Sequence, residues 1–171
     1  MRQGRLAKVI SGGQTGVDQA ALRAAQASGI AVGGWCPPGR ESEAGPIPER
    51  FPLRETPAER SPDAPHVPRS LRTEWNVRDA DGALILTRQR ERDAAGDAGS
   101  AWAAECARRY GRPLLVCDPT DAGSAARIVE WLRTAPIETL SVGGPSERTQ
   151  PGIGEVAYVL LVEVFAQLAG A

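Results

Sequence analysis

Ser11-Gly12-Gly13-Gln14-Thr15-Gly16-Val17-Asp18 is the stretch on which the reading of this chain turns. Residues 6–11 before it form a short apolar run of strand type. Residues 17–28 after it have helical periodicity, with Val17, Ala21, Leu22 and Ala25 on one face and Gly29 as the stop. A strand that breaks on glycines and passes straight into a helix exposes consecutive backbone N–H groups beside a positive helix end. Glycine also lets the main chain approach a bound group closely. The octet therefore reads as an anion cradle, with Ser11 and Thr15 adding hydroxyl donors. It has neither the Gly-Lys-Ser/Thr end of a Walker loop nor the spacing of G-x-G-x-x-G. The plainer alternative is a tight turn in which Asp18 only favours the helix dipole.

The same strand–turn–helix unit recurs along the chain. Short apolar runs at 30–35, 83–86, 113–117 and 137–142 alternate with helical stretches at 100–110, 122–133 and 153–168, and a short helix or turn follows Thr73. This alternation predicts an α/β, Rossmann-like three-layer sandwich with a mainly parallel sheet of about five strands. A chain of 171 residues suits one domain with one core. Ligands of open parallel sheets bind at the carboxyl edge, where the strand-to-helix turns gather. Two further glycine turns fall there: Gly143-Gly144-Pro145-Ser146 after the fifth strand, and Gly99-Ser100 opening the helix after the third. The predicted site thus comprises Ser11, Gly12, Gly13, Gln14, Thr15, Gly16, Asp18, Gly99, Ser100, Gly144 and Ser146. Arg72, Asn76 and Asp81 join it from a polar stretch ahead of strand three, because guanidinium, amide and carboxylate groups orient oxyanions and ring donors. Asp81-Gly82 reads equally well as a simple turn.

Between residues 36 and 70 the composition shifts to Pro, Gly, Arg and Glu. Residues 36–52 are expected to be ordered, and 56–70 to form a mobile insert with little to bury. Residues 88–97 are a charged excursion. Cys36, just past a strand, can approach a ligand, although a lone cysteine more often simply packs. Cys106 and Cys117 read as core. His66 is the only histidine, which excludes a Ser-His-Asp device and zinc-type spacing, so no catalytic or metal-binding residue is assigned. Twenty basic and 21 acidic residues argue against a nucleic-acid surface or a polybasic membrane anchor. The apolar run 156–162 is too short to span a bilayer, and no signal-peptide core opens the chain. A cytoplasmic protein with reduced thiols is the expectation. The last helix carries Val156, Val159, Leu160, Val164, Phe165 and Leu168, with Leu161 and Val162 on its flank. That exceeds what one sheet face needs and predicts a homo-oligomer.

The octet, Gly33-Gly34-Trp35-Cys36-Pro37, Gly45-Pro46-Ile47-Pro48-Glu49-Arg50, Arg72-Thr73-Glu74-Trp75-Asn76-Val77, Asp79-Ala80-Asp81-Gly82 and Gly144-Pro145 with Pro151-Gly152-Ile153 together resemble the molybdenum-cofactor carrier family. The resemblance runs nearly end to end. That family is similar to a circularly permuted branch of the Rossmann-like superfamily that includes cytokinin-activating phosphoribohydrolases. The resemblance implies a parallel-sheet fold, self-association, and a pocket for molybdenum cofactor, molybdate or a nucleotide-like ligand, with molybdoenzymes as recipients. Where family members carry Gly-Gly-Thr after strand three, this chain reads Asp97-Ala98-Gly99-Ser100, and acidic Asp93 and Asp97 would weaken an anion site if they faced it. The hydrolase signature Pro-Gly-Gly-x-Gly-Thr-x-x-Glu is absent. A carrier is therefore the leading expectation. The alternative is an enzyme or sensor for a nucleotide or nucleoside phosphate, with Asp18, Glu43 or Asp79 as acid or base.

Overall fold

The computed structural model describes residues 5–88 and 97–170. Five strands, β1 (Lys8–Ile10), β2 (Ala31–Gly33), β3 (Gly82–Leu86), β4 (Leu114–Cys117) and β5 (Thr139–Gly143), make one sheet in the order β2-β1-β5-β3-β4. Every neighbouring pair is parallel. The helices described are α1 (Val17–Ala27), α2 (Ser70–Asp79), α3 (Ala98–Arg109), α4 (Ser124–Thr134) and α5 (Ile153–Ala169). The Rossmann-like α/β expectation is met.

All five residues of β3 are buried, as expected for a strand covered on both faces. Leu84 and Leu86 point into a core shared with α1, α4 and α5, while Ala83 and Ile85 join Val77 of α2 and Trp102, Ala103 and Cys106 of α3. Two helical layers therefore enclose the sheet. From β1 the chain steps outward to β2, then crosses to β3 and β4 before returning to β5 in the middle. The winding reverses between β1 and its inner neighbours, so the loops after β1, β5 and β3 share one crevice at the carboxyl edge.

Two stretches differ from the sequence reading. The second strand ends at Gly33 rather than Trp35, because Gly34 (φ 125°) turns the chain away from the sheet against the Ser11 backbone. Trp35–Cys36 then pairs with Arg54–Glu55, and Glu41–Ser42 with Gly45–Pro46. The Arg40 guanidinium pins this segment by donating to the carbonyls of Leu53, Pro48 and Phe51. Cys36, Ile47, Phe51 and Leu53 close on Leu22 of α1 as a small separate core, so Cys36 packs. The segment 56–70 was expected to bury little, yet it buries Thr56, Ser61 and Ala64. Ala64 packs beside Val77 and Trp102, and the Ser61 N–H donates to Ser70 Oγ at 2.8 Å. His66 is exposed. Of the charged excursion at 88–97, residues 89–96, Asp93 among them, lie outside the described residues.

The apolar girth of α5 also has a local explanation. It packs against both α1 and α4, which buries Leu160, Leu161, Val164 and Phe165, and of its large apolar residues only Val159 stands clearly exposed, at 58%.

Candidate functional site

Close backbone approach holds the crevice together. A Cβ on Gly16 would fall 2.4 Å from the Pro145 carbonyl oxygen, and one on Gly144 would fall 2.2 Å from that of Leu86. The loops after β1, β5 and β3 thus touch one another, and only glycine permits it. Ser11 Oγ donates to the Val142 carbonyl at 2.6 Å, which ties the ends of β1 and β5 rather than facing outward.

At the floor lies an ion pair. Asp18, 1% exposed, accepts at Oδ2 from Arg72 Nη1 at 2.9 Å and from the Gln14 N–H at 3.3 Å. Burial pushes the Asp18 carboxyl above the usual range, and Arg72, the Gln14 N–H and Ser11 pull the other way. Asp97 adds a further push upward. Gly12 is where Arg72 rests: a Cβ there would meet Arg72 Nη1 at 2.2 Å. Gly13 behaves otherwise. Its missing side chain would strike Leu53 and Ile47 of the small core, so an added group there would disturb packing before it reached any ligand.

Much of the donor capacity of the three turns is taken by the chain's own carboxylates. Asp97 caps α3 by accepting from the N–H groups of Gly99 and Ser100 at 3.2 and 3.3 Å. Glu147 accepts from the N–H groups of Gly152 and Gly154, both at 2.8 Å, at the head of α5. Glu43, at the turn of the 41–46 hairpin, accepts from Thr15 Oγ1 at 2.5 Å and from the Arg148 N–H at 2.9 Å. Burial alone would raise the Glu43 carboxyl, but these bonds and that from Ser146 outweigh it and hold the group below its ordinary value. A carboxyl lowered in the folded state stabilises the fold above its ordinary value of 4.5, and that contribution is lost as pH falls through the folded pKa. Glu43→Gln is accordingly expected to cost about 1 kcal/mol at neutral pH. Urea unfolding of both proteins should show the difference shrinking in acid, and a pH-independent difference would contradict this.

The remaining predicted residues divide. Arg72, Gly12, Asn76 and Asp18 do come together, but the Asn76 amide is held at both ends by the Trp35 backbone, accepting from its N–H at 2.8 Å and donating to its carbonyl at 3.0 Å. Asp81 stands at the opposite edge of the sheet, where it accepts from the N–H groups of Glu138 and Thr139 at the start of β5. That position is wrong for a shared pocket, as a residue preceding a strand must be at the amino edge. Ser146 Oγ pairs with Thr149 Oγ1 at 3.2 Å. Asp79 is held by Arg78 and accepts from Trp35 Nε1 at 2.7 Å. Sequence reading missed Glu147 as a cap, although a carboxylate five residues ahead of a Gly-opened helix was a usable signal.

A cavity of about 30 Å³ lies under these parts, lined by Gly12, Arg72, Asn76 and Ser141 together with core residues such as Val77 and Ala103. Arg72, one of the lining residues, has a buried Nε with no hydrogen-bond partner among the described residues, and neither does the buried Gln14 Nε2 have one. Buried donors without partners are rare and call for a ligand or water. A cationic N–H over a glycine backbone suits a small oxyanion. The cavity holds little more than a water or two and does not admit a whole pterin.

Comparison with known proteins agrees with this architecture. The chain is 35% identical to a crystal structure named "Putative molybdenum carrier protein" from Syntrophus aciditrophicus SB, with a TM-score of 0.77 over 95% of this chain and 96% of that one. No curated protein matches the chain. The profile of the circularly permutated YpsA SLOG family matches residues 9–165, nearly the whole length, with the β1 turn near its start and α5 at its end. The chain belongs to the circularly permutated YpsA SLOG family.

Proposed function

We propose that this protein binds and carries molybdenum cofactor or a molybdate-type oxyanion at the carboxyl edge of its sheet, without turning it over. One observation carries the reading: the buried, unpartnered Nε of Arg72, a residue that lines a small cavity together with Gly12. A guanidinium held on one side by Asp18 keeps a donor for an incoming oxygen on the other. The cavity has room for one or two oxygens of a tetrahedral oxyanion, so the rest of the anion, and any pterin, would lie across the rim. The name of the Syntrophus relative supports the molybdenum assignment. Molybdoenzymes are the proposed recipients and the cytoplasm the proposed setting. No described helix is long and apolar enough to cross a membrane.

The test is elemental analysis of purified protein combined with turnover assays on nucleoside monophosphates. Molybdenum retained without turnover supports the carrier, and release of free base overturns it. A second reading, an enzyme or sensor for a nucleotide-like ligand, draws on one feature: burial raises Asp18 while hydrogen bonds lower Glu43 in the same crevice. Carboxyls pushed apart in this way can serve as acid and base. Self-association is proposed with either reading, through the outer face of α5 that exposes Val159. Light scattering should report more than one chain per particle at micromolar concentration, and a monomer would contradict it.

A further inference from the structure

Binding an anion beside a buried carboxylate raises an electrostatic difficulty that the geometry itself resolves. Asp18 and an oxyanion in the Gly12 cavity would both lean on one guanidinium, because the Arg72–Asp18 bond of 2.9 Å uses Nη1 while Nε faces no partner. Asp18 Oδ1 is close behind the cavity wall, 3.9 Å from where a Cβ of Gly143 would lie. We propose that Asp18 makes oxyanion binding proton-linked: as the anion engages Arg72, Asp18 takes up one proton from solvent, and the crevice keeps its net charge one unit less negative than it would otherwise become. The inference rests on the oxyanion reading above.

The charged and titratable groups facing Asp18 among the described residues support it. Arg72 comes from α2 and is already shared. Asp97, at the head of α3, is a second negative neighbour, and the loop supplies only the neutral Ser11 hydroxyl and Gln14 N–H. Burial already favours the neutral acid. A second anion nearby pushes the same way, so protonation relieves like-charge repulsion in a poorly solvated site. A neutral Asp18 also gains an O–H donor, which can serve the anion or the Ser11 oxygen.

The experiment is calorimetric titration with molybdate, and separately with sulfate, in two buffers of different ionisation enthalpy. Sulfate keeps its charge across the neutral range, so a proton taken up with it belongs to the protein. Wild-type protein is expected to take up close to one proton per anion where free Asp18 is ionised. Affinity should then fall about tenfold for each pH unit of rise. Asp18→Asn, which is isosteric and fixed neutral, is expected to bind with no proton uptake and a flat pH profile. Binding by wild type without proton uptake overturns this inference and leaves the oxyanion reading standing, as does equal uptake in Asp18→Asn. Absence of binding to either anion at every pH overturns both. If Asp18→Asn fails to fold, binding by wild type without proton uptake still overturns the inference.

Discussion

Arg72→Ala is expected to lower the stability of the fold by about 3–5 kcal/mol and to abolish oxyanion binding together. The energetic reason is Asp18, not Arg72. Removing the cation leaves a carboxylate that is 1% exposed with only the Gln14 N–H and the Ser11 hydroxyl to compensate it, and a buried charge stripped of its partner costs on this scale. Protonation of Asp18 would recover part of the loss, so the destabilisation should diminish as pH falls. Urea unfolding of wild type, Arg72→Ala, Asp18→Asn and the double variant tests this as a cycle. The double variant should lose clearly less than the two single losses combined. Additive losses would mean that the pair contributes nothing as a pair.

Phe51→Ala is expected to cost about 3–5 kcal/mol, the range for truncating a buried aromatic whose surroundings cannot collapse. Phe51 is fully buried among Leu22, Cys36, Ile47 and Leu53, and the Arg40 guanidinium holds its carbonyl. This small core fixes the 41–46 hairpin and hence the position of Glu43 over Thr15. The change should therefore loosen the crevice as well as the fold. Hydrogen exchange at Gln14 to Gly16 should rise in the variant beyond what global destabilisation explains. An effect under about 1 kcal/mol would show that the segment packs more loosely than described.

The fold was largely legible because the strands are short apolar runs, most of them closed by glycine or proline and most followed by a helical pattern. The octet at Ser11–Asp18, with the apolar run before it and the helical periodicity after it, marked strand, turn and helix. What escaped reading was of two kinds. Trp35–Cys36 and Arg54–Glu55 are two-residue pairings, too short to show any periodicity, and they depend on Arg40 bonding carbonyls eight to thirteen residues away. The occupancy of the turns was hidden for another reason. Glycine turns and helix starts announce free N–H donors, but whether a carboxylate of the chain fills them depends on contacts such as Glu43 to Arg148, 105 residues apart. Asp97 is the exception, since an Asp just ahead of a helix start is an N-cap pattern in its own right. Asn76 gave no sign that both ends of its amide would be spent on Trp35. Arg72 and Gly12 were readable as site residues from their types, and the structure adds that they touch.

That contact supplies the most direct test of the central claim, that an oxyanion binds where Arg72 lies over Gly12. Gly12 does not need a left-handed backbone, and the obstacle to a methyl group there is the far end of a flexible side chain. Gly12→Ala should therefore fold, with Arg72 pushed out of its place. Titration of molybdate into both proteins, with circular dichroism to verify the fold, reads the consequence. Wild type is predicted to bind one molybdate per chain, and Gly12→Ala to have lost at least tenfold in affinity, about 1.4 kcal/mol. Equal affinity in a correctly folded Gly12→Ala would contradict the account and place the site elsewhere.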